Sequence, residues 1–368
     1  MNTSLHESAE APVETESVRR ERLAAPSVSI VVPVFGVEKY VGRCFDSVAA
    51  QTYPFLECIF VDDCGTDASM RILRERIAAY RGHVRFRIVR HERNRGLSAA
   101  RNTGADAATG EYVWFVDSDD FISDDAVADI FGKIGAARPE VISFNYATFT
   151  DGDDFSGRLV RVPAYDDVGG ILDAICVSHH ENWGAQFRIF KKDFLERENL
   201  RFTEGLIHED VDFLMDVLRT GTRSVMTDNH CVYFYRGSRA GSIMASGFPE
   251  KRMRSLFLLA EKSYEFALAH DANFRIYVEV FREMLFSILN GCASRKTAKR
   301  GEFLKMLRAR KKDFAALLRH SPGRRQKIVS FLLPRSVLAA LLAWRALSSF
   351  PVVCLFFAAR KIKQRFSR

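Results

Sequence analysis

Between residues 28 and 116, short apolar runs alternate with segments whose apolar residues recur at helical spacing. The runs are VSIVVPVF (28–35), LECIFVDD (56–63), VRFRIVR (84–90) and EYVWFV (111–116). Valine, isoleucine and aromatic residues favour strands, whereas a period of three to four residues is typical of an amphipathic helix. The alternation predicts an α/β fold with a mostly parallel sheet flanked by helices.

Polar or aromatic side chains stand where three of these runs end. They are Phe35, Asp62, Asp63, Asp117, Asp119 and Asp120. In open α/β sheets, ligands bind beyond the carboxyl ends of the strands. We therefore expect an aromatic ring and five carboxylates to meet at one edge of the sheet and to form a ligand site there.

Asp117 and Asp119 have D-x-D spacing, which places two carboxylates on one side of a turn. Hard cations such as Mg²⁺ and Mn²⁺ bind to one or two such carboxylates together with substrate phosphates. The alternative is an acidic N-cap cluster on a helix that follows Ser123. Phosphate binding by a glycine-rich loop is not indicated, because neither G-x-x-x-x-G-K-[ST] nor G-x-G-x-x-G occurs.

The segment HEDVDFLMDVLRTG (208–221) predicts a helix that opens on Glu209 and Asp210. A carboxylate within reach of a hydroxyl can take its proton, so Asp210 is a candidate general base. The alternative is a negative charge that only complements the positive end of the helix dipole.

Three blocks carry a closer identification: VSIVVPVFGVEKYVGRCFDSVAAQTYPFLECIFVDDCGTDAS, NRGLSAARNTGADAATGEYVWFVDSDD and HEDVDFLMDVL. Together they closely resemble the family-two glycosyltransferases of the GT-A fold, a Rossmann-like α/β fold, over about Ser27 to Gly247. The resemblance implies inverting transfer of a sugar from a nucleotide-sugar, commonly a UDP-sugar, to an acceptor hydroxyl. It also implies a divalent metal cofactor, Mn²⁺ or Mg²⁺.

The resemblance assigns roles to individual residues of this chain. The nucleotide-sugar-binding residues that it implies are Pro33, Phe35, Glu38, Asp62, Asp63, Arg101, Asp117 and, from the loop motif YFYRGSRAGSI, Arg236 and Ser242. The implied metal ligands are Asp119 and Asp117. Asp210 matches the general base, and Glu209 is expected to place Asp210 or the acceptor. Phe35 is expected to stack on the base and Asp63 to accept a hydrogen bond from a ring N–H.

Two positions depart from the pattern of the family. The first motif usually ends in Tyr-Asn but reads Phe35-Gly36 here, so a hydroxyl and an amide are missing near the nucleotide base. Cys64 replaces the more usual glycine after the two aspartates. We expect the pocket to read the nucleotide less tightly or through other groups.

Charge is distributed unevenly along the chain. From Asn290 to the C-terminus there are 20 Lys and Arg residues and two acidic ones, whereas the rest of the chain is acidic. The stretch from Ser336 to Ala359 carries only one charge, Arg345. We expect an amphipathic or re-entrant tail on an anionic membrane surface. The alternatives are a helical hairpin packed on the catalytic domain and a transmembrane helix.

These observations predict four regions: a disordered N-terminal arm (1–26), a GT-A catalytic domain (27–247), a basic helical extension (248–330) and a membrane-associating tail (331–368). The first 25 residues have no apolar signal-peptide core, and the seven cysteines include no C-x-x-C pair. We therefore expect a peripheral or monotopic protein at the cytoplasmic face of the cell membrane.

The expected function is synthesis of a cell-surface polysaccharide or a lipid-linked glycan, with a glycan or lipid-linked acceptor. One rival is a nucleotidyltransferase that makes a nucleotide-sugar, but PVFGVEKY does not provide its glycine-rich basic loop. The other is a catalytically inactive binding protein with a basic tail on the same fold. Nucleic acid is not an expected partner, because the tail lacks interleaved aromatic and base-reading side chains.

Overall fold

The computed structural model describes residues 25–134, 137–150, 159–164, 166–171, 183–237, 249–270, 273–294, 296–321, 324–337, 339–341 and 343. Within them the strands are β1 (Val28–Val34), β2 (Leu56–Asp62), β3 (Arg85–Arg90), β4 (Tyr112–Phe115), β5 (Phe121–Ile122), β6 (Val141–Phe149), β7 (Leu159–Val160), β8 (Arg188–Lys191) and β9 (Val225–Arg236). The helices are α1 (Val41–Ala49), α2 (Ser69–Ala79), α3 (Leu97–Ala107), α4 (Ala126–Ile134), α5 (Lys192–Arg197), α6 (Glu209–Arg219), α7 (Glu250–Ala269), α8 (Phe274–Ala293), α9 (Arg300–Leu318) and α10 (Arg324–Leu332).

The described strands form one sheet in the order β3-β2-β1-β4-β8-β6-β9-β5, with β7 paired to β6. The β3-β2-β1-β4 half is parallel throughout. β8 joins this half to β6 through antiparallel ladders on both sides. β6 pairs with β9 in parallel over a long ladder. The antiparallel ladders are short, so most of the paired residues in the sheet belong to parallel ladders. The predicted α/β fold with a mostly parallel sheet flanked by helices is confirmed.

β1 lies inside the parallel half and has ladder partners on both edges. All seven of its residues are buried, as expected for a strand that is covered by helices on both faces. Parallel pairing places the carboxyl ends of β1, β2 and β4 at the same edge of the sheet. The strand-end residues predicted from the sequence therefore come together at that edge.

Gly110 has a packing role and does not cap α3. The helix ends at Ala107, with Ala108 as its C-cap. A Cβ atom at Gly110 would lie 2.7 Å from the backbone nitrogen of Ser29. Glycine is required because the chain passes directly against β1 before it enters β4.

β9 is a long strand that crosses from the second half of the sheet to the D-x-D turn. Its ladder with β6 contains an irregularity around Asn145, and its C-terminal part pairs with β5. Because β5 follows the turn directly, this pairing brings Tyr233 and Arg236 beside the turn. The part of the predicted loop after residue 237, including Ser242, lies outside the described residues.

The basic helical region packs on the sheet through α6. Phe190 of β8, Phe213 of α6, Leu256 of α7, Leu285 of α8 and Leu307 of α9 belong to one buried cluster. The helical region therefore shares a continuous core with the sheet. The predicted boundary at residues 247 and 248 lies outside the described residues.

The first part of the predicted membrane-associating tail is buried in the protein. Leu333, Val337, Ala340 and Leu341 belong to the same core cluster as α7, α8 and α9. Residues 344–368 and the predicted N-terminal arm up to residue 24 lie outside the described part of the chain. Among the described helices, none has the length and apolarity needed to cross a membrane.

Candidate active site

The D-x-D turn joins β4 to β5 and is fixed by its own backbone. The Asp120 N–H donates to the Asp117 carbonyl oxygen at 3.0 Å, which closes the turn. The Asp117 and Asp119 residues are partly exposed, whereas Asp120 is buried. The carboxylates of Asp117 and Asp119 therefore face the edge of the sheet, and that of Asp120 faces the interior.

Asp120 connects the D-x-D turn to β9. Its carboxylate accepts hydrogen bonds from the Tyr233 hydroxyl at 2.6 Å and from the Arg236 backbone N–H at 2.7 Å. Burial and the neighbouring Asp119 and Asp117 raise the pKa of Asp120 well above its usual value. The alternative of an acidic N-cap cluster does not hold for Asp120, because its partners lie on β9.

Arg236 lies behind the turn. Its Nε donates to the Asp119 carbonyl oxygen at 3.0 Å, and its guanidinium lies 4.3 Å from the ring centre of Tyr40. It is buried. These contacts hold the backbone that carries Asp119, and they identify a positioning contribution of Arg236 that the sequence alone did not predict.

Arg101 is the centre of the carboxylate cluster. It is 1% exposed and projects from α3 between the D-x-D turn and the start of α6. Its Nη2 lies 2.9 Å from Asp117 Oδ1, and its Nη1 lies 3.0 Å from Glu209 Oε1 and 2.9 Å from Asp210 Oδ1. One buried cation therefore bridges the predicted metal side and the predicted base side of the site.

Glu209 and Asp210 are placed by the way in which α6 begins. His208, the residue before the helix, has a left-handed backbone conformation, with φ at 67°. Its carbonyl oxygen accepts the N–H groups of Val211 and Asp212, which starts the helix. The two carboxylates then lie in the first turn, where they reach Arg101. The candidate base is therefore part of an ion-pair cluster, in addition to its place at the positive end of the helix.

The protonation of Asp210 is set by opposing influences. Burial raises its pKa, Arg101 lowers it, and the nearby Glu209 and Asp117 raise it, so that the pKa of Asp210 lies at about 7. A carboxylate whose pKa lies near neutral pH takes up a proton more readily than an ordinary aspartate. The cluster also raises the pKa of Arg101, so its guanidinium stays charged.

Asp63 organises the loop between β3 and α3. Its Oδ1 accepts hydrogen bonds from His91 Nδ1 and from the Arg95 backbone N–H, both at 2.7 Å. Its Oδ2 accepts the Gly96 N–H at 2.8 Å. His91 also contacts Thr103 at 2.9 Å, so the imidazole links β3 to α3. A carboxylate in this position shapes the loop on which α3 and Arg101 depend.

Phe35 stands free of the core at the end of β1. Its side chain is 52% exposed, which is unusual for a phenylalanine at the end of a buried strand. The adjoining loops touch closely, because a Cβ atom at Gly65 would lie 3.2 Å from the Gly36 backbone nitrogen. An exposed ring therefore lies beside the loop that follows Asp62 and Asp63.

The other predicted nucleotide-side residues have structural contacts. Pro33 is a buried residue of β1. Glu38 Oε2 accepts the Ala68 backbone N–H at 2.9 Å and so ties the loop after β1 to the start of α2. Asp62 Oδ1 accepts the Cys64 N–H at 3.0 Å, and Arg90 lies 3.4 Å from its other oxygen. These contacts hold the walls around Phe35 and Asp63.

The residues of the turn fit a divalent cation that arrives with its substrate. Among the described residues, no group of three or more His, Cys, Asp or Glu side chains is arranged to hold a metal ion. Asp117 and Asp119 nevertheless offer partly exposed carboxylates in one turn. Hard cations such as Mg²⁺ use one or two protein carboxylates and complete their shell with substrate phosphates and water.

Two histidines near these elements have partners within the protein. His208 Nε2 accepts a hydrogen bond from Arg252 Nε at 3.3 Å, and burial lowers its pKa to about 4. His230 lies 2.9 Å from Asp228 and 2.6 Å from Lys133. Both histidines are therefore engaged by neighbouring side chains of the protein.

Comparisons with known proteins agree with this architecture. The glycosyl transferase family 2 model matches residues 29–201. The chain is 32% identical to glycosyltransferase GlyA of Streptococcus pneumoniae over 74% of this chain and 39% of GlyA. It is also 32% identical to glycosyltransferase GlyG of the same organism, over 60% of this chain and 74% of GlyG. This chain spans less than two thirds of the first curated relatives that it matches.

A solved structure has the same fold. The crystal structure of Staphylococcus aureus TarS 1–349 in complex with UDP-GlcNAc aligns with a TM-score of 0.66 at 21% identity, over 88% of this chain and 91% of that one. The likeness confirms the predicted GT-A type fold. Because the family model matches and GlyG is aligned over most of its own length, this chain belongs to glycosyltransferase family 2.

Proposed function

We propose that the protein is an inverting glycosyltransferase that moves a sugar from a nucleotide-sugar to an acceptor hydroxyl. The product would be a cell-surface polysaccharide or a lipid-linked glycan. One observation carries the proposal: Arg101 joins Asp117 of the D-x-D turn to Glu209 and Asp210 within 3.0 Å. A donor-side pair and an acceptor-side pair of carboxylates therefore face each other in one cluster, as a single in-line displacement requires.

On the donor side, Asp119 and Asp117 would hold a divalent cation, Mn²⁺ or Mg²⁺. The cation supplies Lewis-acid stabilisation of the charge that develops on the leaving diphosphate. Asp120, Tyr233 and Arg236 keep the turn in place from behind. Arg101 holds one oxygen of Asp117 and fixes the direction of that carboxylate.

On the acceptor side, Asp210 takes the proton of the attacking hydroxyl. A pKa near 7 suits this role, because the carboxylate is partly ionised at neutral pH and still has affinity for a proton. Glu209 and Asp210 both contact the Nη1 atom of Arg101, which fixes the position of the two carboxylates relative to each other. In-line attack on the anomeric carbon from this side inverts its configuration.

On the nucleotide side, Phe35 stacks on the base and Asp63 reads its edge. The exposure of Phe35 supports the first role, since a ring that is 52% exposed can cover a flat ligand. Asp63 Oδ2 accepts one hydrogen bond within the protein and can accept a second from a ring N–H. Pro33, Glu38 and Asp62 form the walls of this pocket. The UDP-GlcNAc in the TarS structure makes UDP-sugars the first donors to test.

We also propose that the enzyme works at the cytoplasmic face of the cell membrane, as a peripheral or monotopic protein. The basic composition after Asn290 and the apolar stretch after Ser336 support this location. TarS is named a poly(ribitol-phosphate) β-N-acetylglucosaminyltransferase, which is an activity on a phosphate-rich polymer. A glycan or lipid-linked acceptor at the membrane fits both observations.

A donor screen tests the proposal. Nucleotide-sugars are incubated with the wild type, Asp119→Ala and the control Asp124→Ala, a neighbouring exposed aspartate, with and without Mn²⁺ or Mg²⁺. We expect metal-dependent release of nucleoside diphosphate from one donor, lost in Asp119→Ala and kept in Asp124→Ala. Undiminished turnover in Asp119→Ala would refute the donor-side assignment. Formation of a nucleotide-sugar from a sugar phosphate would instead identify a nucleotidyltransferase.

A further inference from the structure

Four basic side chains form a stripe along one face of α9 and its C-cap residue, Arg319. Lys305, Arg308, Lys312 and Arg319 are exposed and follow one another at intervals of three, four and seven residues. At 100° per residue these positions lie within about one quarter of the helix circumference, over a length of about 21 Å. We call these four residues the basic stripe.

The basic stripe has no acidic partner within the described part of the chain. None of its four side chains makes an ion pair there, whereas Arg254, Lys299 and Arg310 nearby do. Arg310 pairs with Glu261 and Asp313, and Arg254 pairs with Glu302. The acidic side chains Glu261, Glu302 and Asp313 thus form ion pairs with basic residues outside the stripe. The stripe therefore presents net positive charge to its surroundings.

The opposite face of α9 is committed to the core. Phe303, Leu307, Phe314 and Leu318 are buried against the other helices of the layer. The helix therefore cannot rotate to bring the basic stripe inward without exposing these residues. The stripe is a fixed outward-facing surface of the protein.

The chain that follows adds an apolar element to the same layer. α10 packs against α9, and the chain stays in the core up to Leu341. Beyond it the sequence contains a charge-free run from Ala346 to Ala359, then five basic residues among the last nine. A phosphate-rich glycan could pair with the basic residues but has no apolar surface for the apolar run. A bilayer has both headgroup phosphates and hydrocarbon.

We propose that the basic stripe of α9 is a docking surface for the anionic headgroups of a phospholipid bilayer. Positively charged side chains near such a surface are attracted by its negative potential, within about one Debye length. The occupant is a lipid surface, and a soluble polyanion is the rival that the experiment must separate from it.

The helix that carries the basic stripe is connected to the active site. α9 is held to the start of α7 by Lys299 and Glu250, 2.8 Å apart, and by Arg254 and Glu302, 2.7 Å apart. The same end of α7 contacts His208 through Arg252, directly before the candidate base. The helix that carries the stripe is thus linked to the acceptor side of the site, which suits a lipid-linked acceptor. The docking rests on the membrane location given under the proposed function, and this consequence rests also on the proposed transfer reaction.

Vesicle flotation with the full-length protein tests the docking. The variants are the wild type, Lys305→Gln/Arg308→Gln/Lys312→Gln, and the control Arg71→Gln/Arg81→Gln/Arg85→Gln. The control removes the same charge from the exposed surface of α2, β3 and the loop between them. Vesicles contain phosphatidylcholine with or without phosphatidylglycerol. Soluble polyphosphate serves as the competing polyanion, and circular dichroism confirms that the variants are folded.

We expect the wild type and the control to float with the phosphatidylglycerol vesicles and to stay behind with phosphatidylcholine alone. Each neutralised stripe residue lowers the partition coefficient about fivefold, so the stripe variant binds about a hundredfold more weakly. Equal flotation of the stripe and control variants would overturn the proposal. So would a wild type that ignores the vesicles and binds polyphosphate. Neither result depends on whether a sugar is transferred.

Discussion

The active-site cluster and the basic stripe are two concentrations of charge that differ in burial and in ion pairing. In the cluster, Arg101 is buried and three carboxylates share it. On the stripe, four basic side chains are exposed and make no ion pair within the described residues. Water screens the stripe, but it cannot reach the guanidinium of Arg101.

This difference determines what each region can do. Removal of one member of a buried ion pair leaves a buried charge without compensation. The cluster should therefore tolerate few substitutions. Exposed charges cost little to keep and little to remove, so they are free to serve a partner surface. Substitutions in the cluster should therefore change both catalysis and folding, whereas those on the stripe should change only association with lipid.

The largest expected effect is that of Asp210→Asn. The amide cannot take the proton of the acceptor, so sugar transfer should fall by about 10²–10⁴-fold. Because burial raises the pKa of Asp210 to about 7, the ionised base disappears as the pH falls below that value. In the wild type, kcat/KM should therefore decline about tenfold per pH unit on the acid side. A flat profile between pH 5 and pH 8, or an active Asp210→Asn, would exclude this base.

Arg101→Gln should damage stability and shift the pH profile together. Three carboxylates would lose their shared cation, which should lower the free energy of unfolding by about 3–5 kcal/mol at neutral pH. The loss should shrink at acid pH, where the carboxylates are protonated. Since Arg101 lowers the pKa of Asp210, its removal should move the acid limb of kcat/KM to higher pH.

Urea unfolding at two pH values and a pH–rate profile measure these effects. Arg101→Lys should lie between the wild type and Arg101→Gln, because an ammonium cannot reproduce the planar fork of donors. Arg201→Gln is the control, since Arg201 pairs with Asp106 on the surface and should cost less than about 1 kcal/mol. Equal destabilisation by Arg101→Gln and Arg201→Gln would show that the buried cluster has no special weight.

Tyr233→Phe is expected to have a smaller effect on the D-x-D turn. It removes the hydrogen bond to Asp120 and the acceptor for the Asp117 backbone N–H, so unfolding should become about 1–3 kcal/mol easier. Thermal unfolding with and without Mn²⁺ would also show weaker stabilisation by the metal. Tyr235→Phe is the matched control and should stay within about 0.5 kcal/mol. A Tyr233→Phe variant that behaves like Tyr235→Phe would remove this link.

Much of the fold and part of the site follow from local patterns. The apolar runs identify β1, β2 and β4 within one or two residues, because buried parallel strands have few polar positions. β3 is identified equally well, although it is partly exposed and alternates arginine with apolar residues. The rule that parallel strands deliver their ends to one edge brings Phe35, Asp63 and Asp117 together. The helix start at Glu209 also follows from the sequence, since acidic residues precede an apolar period.

The contacts that hold the site follow from tertiary structure and have no local signal. Arg101 lies 16 residues before Asp117 and 109 residues before Asp210, so the spacing alone cannot reveal that one cation serves both. Asp120 resembles a helix cap in sequence, but its hydroxyl partner, Tyr233, lies 113 residues away on β9. Local pattern likewise cannot separate core from membrane for Val337 and Leu341, because both environments select apolar side chains.

The central claim is that the D-x-D turn serves the donor and Asp210 serves the acceptor. Calorimetric titration of the screened nucleotide-sugar, in the presence of Mn²⁺, into the wild type, Asp119→Ala and Asp210→Asn tests it most directly. Donor affinity should persist in Asp210→Asn and should fall by at least about tenfold in Asp119→Ala, because only the latter removes a proposed metal ligand. Equal donor affinity in the wild type and Asp119→Ala, or loss of donor binding in Asp210→Asn alone, would contradict this division.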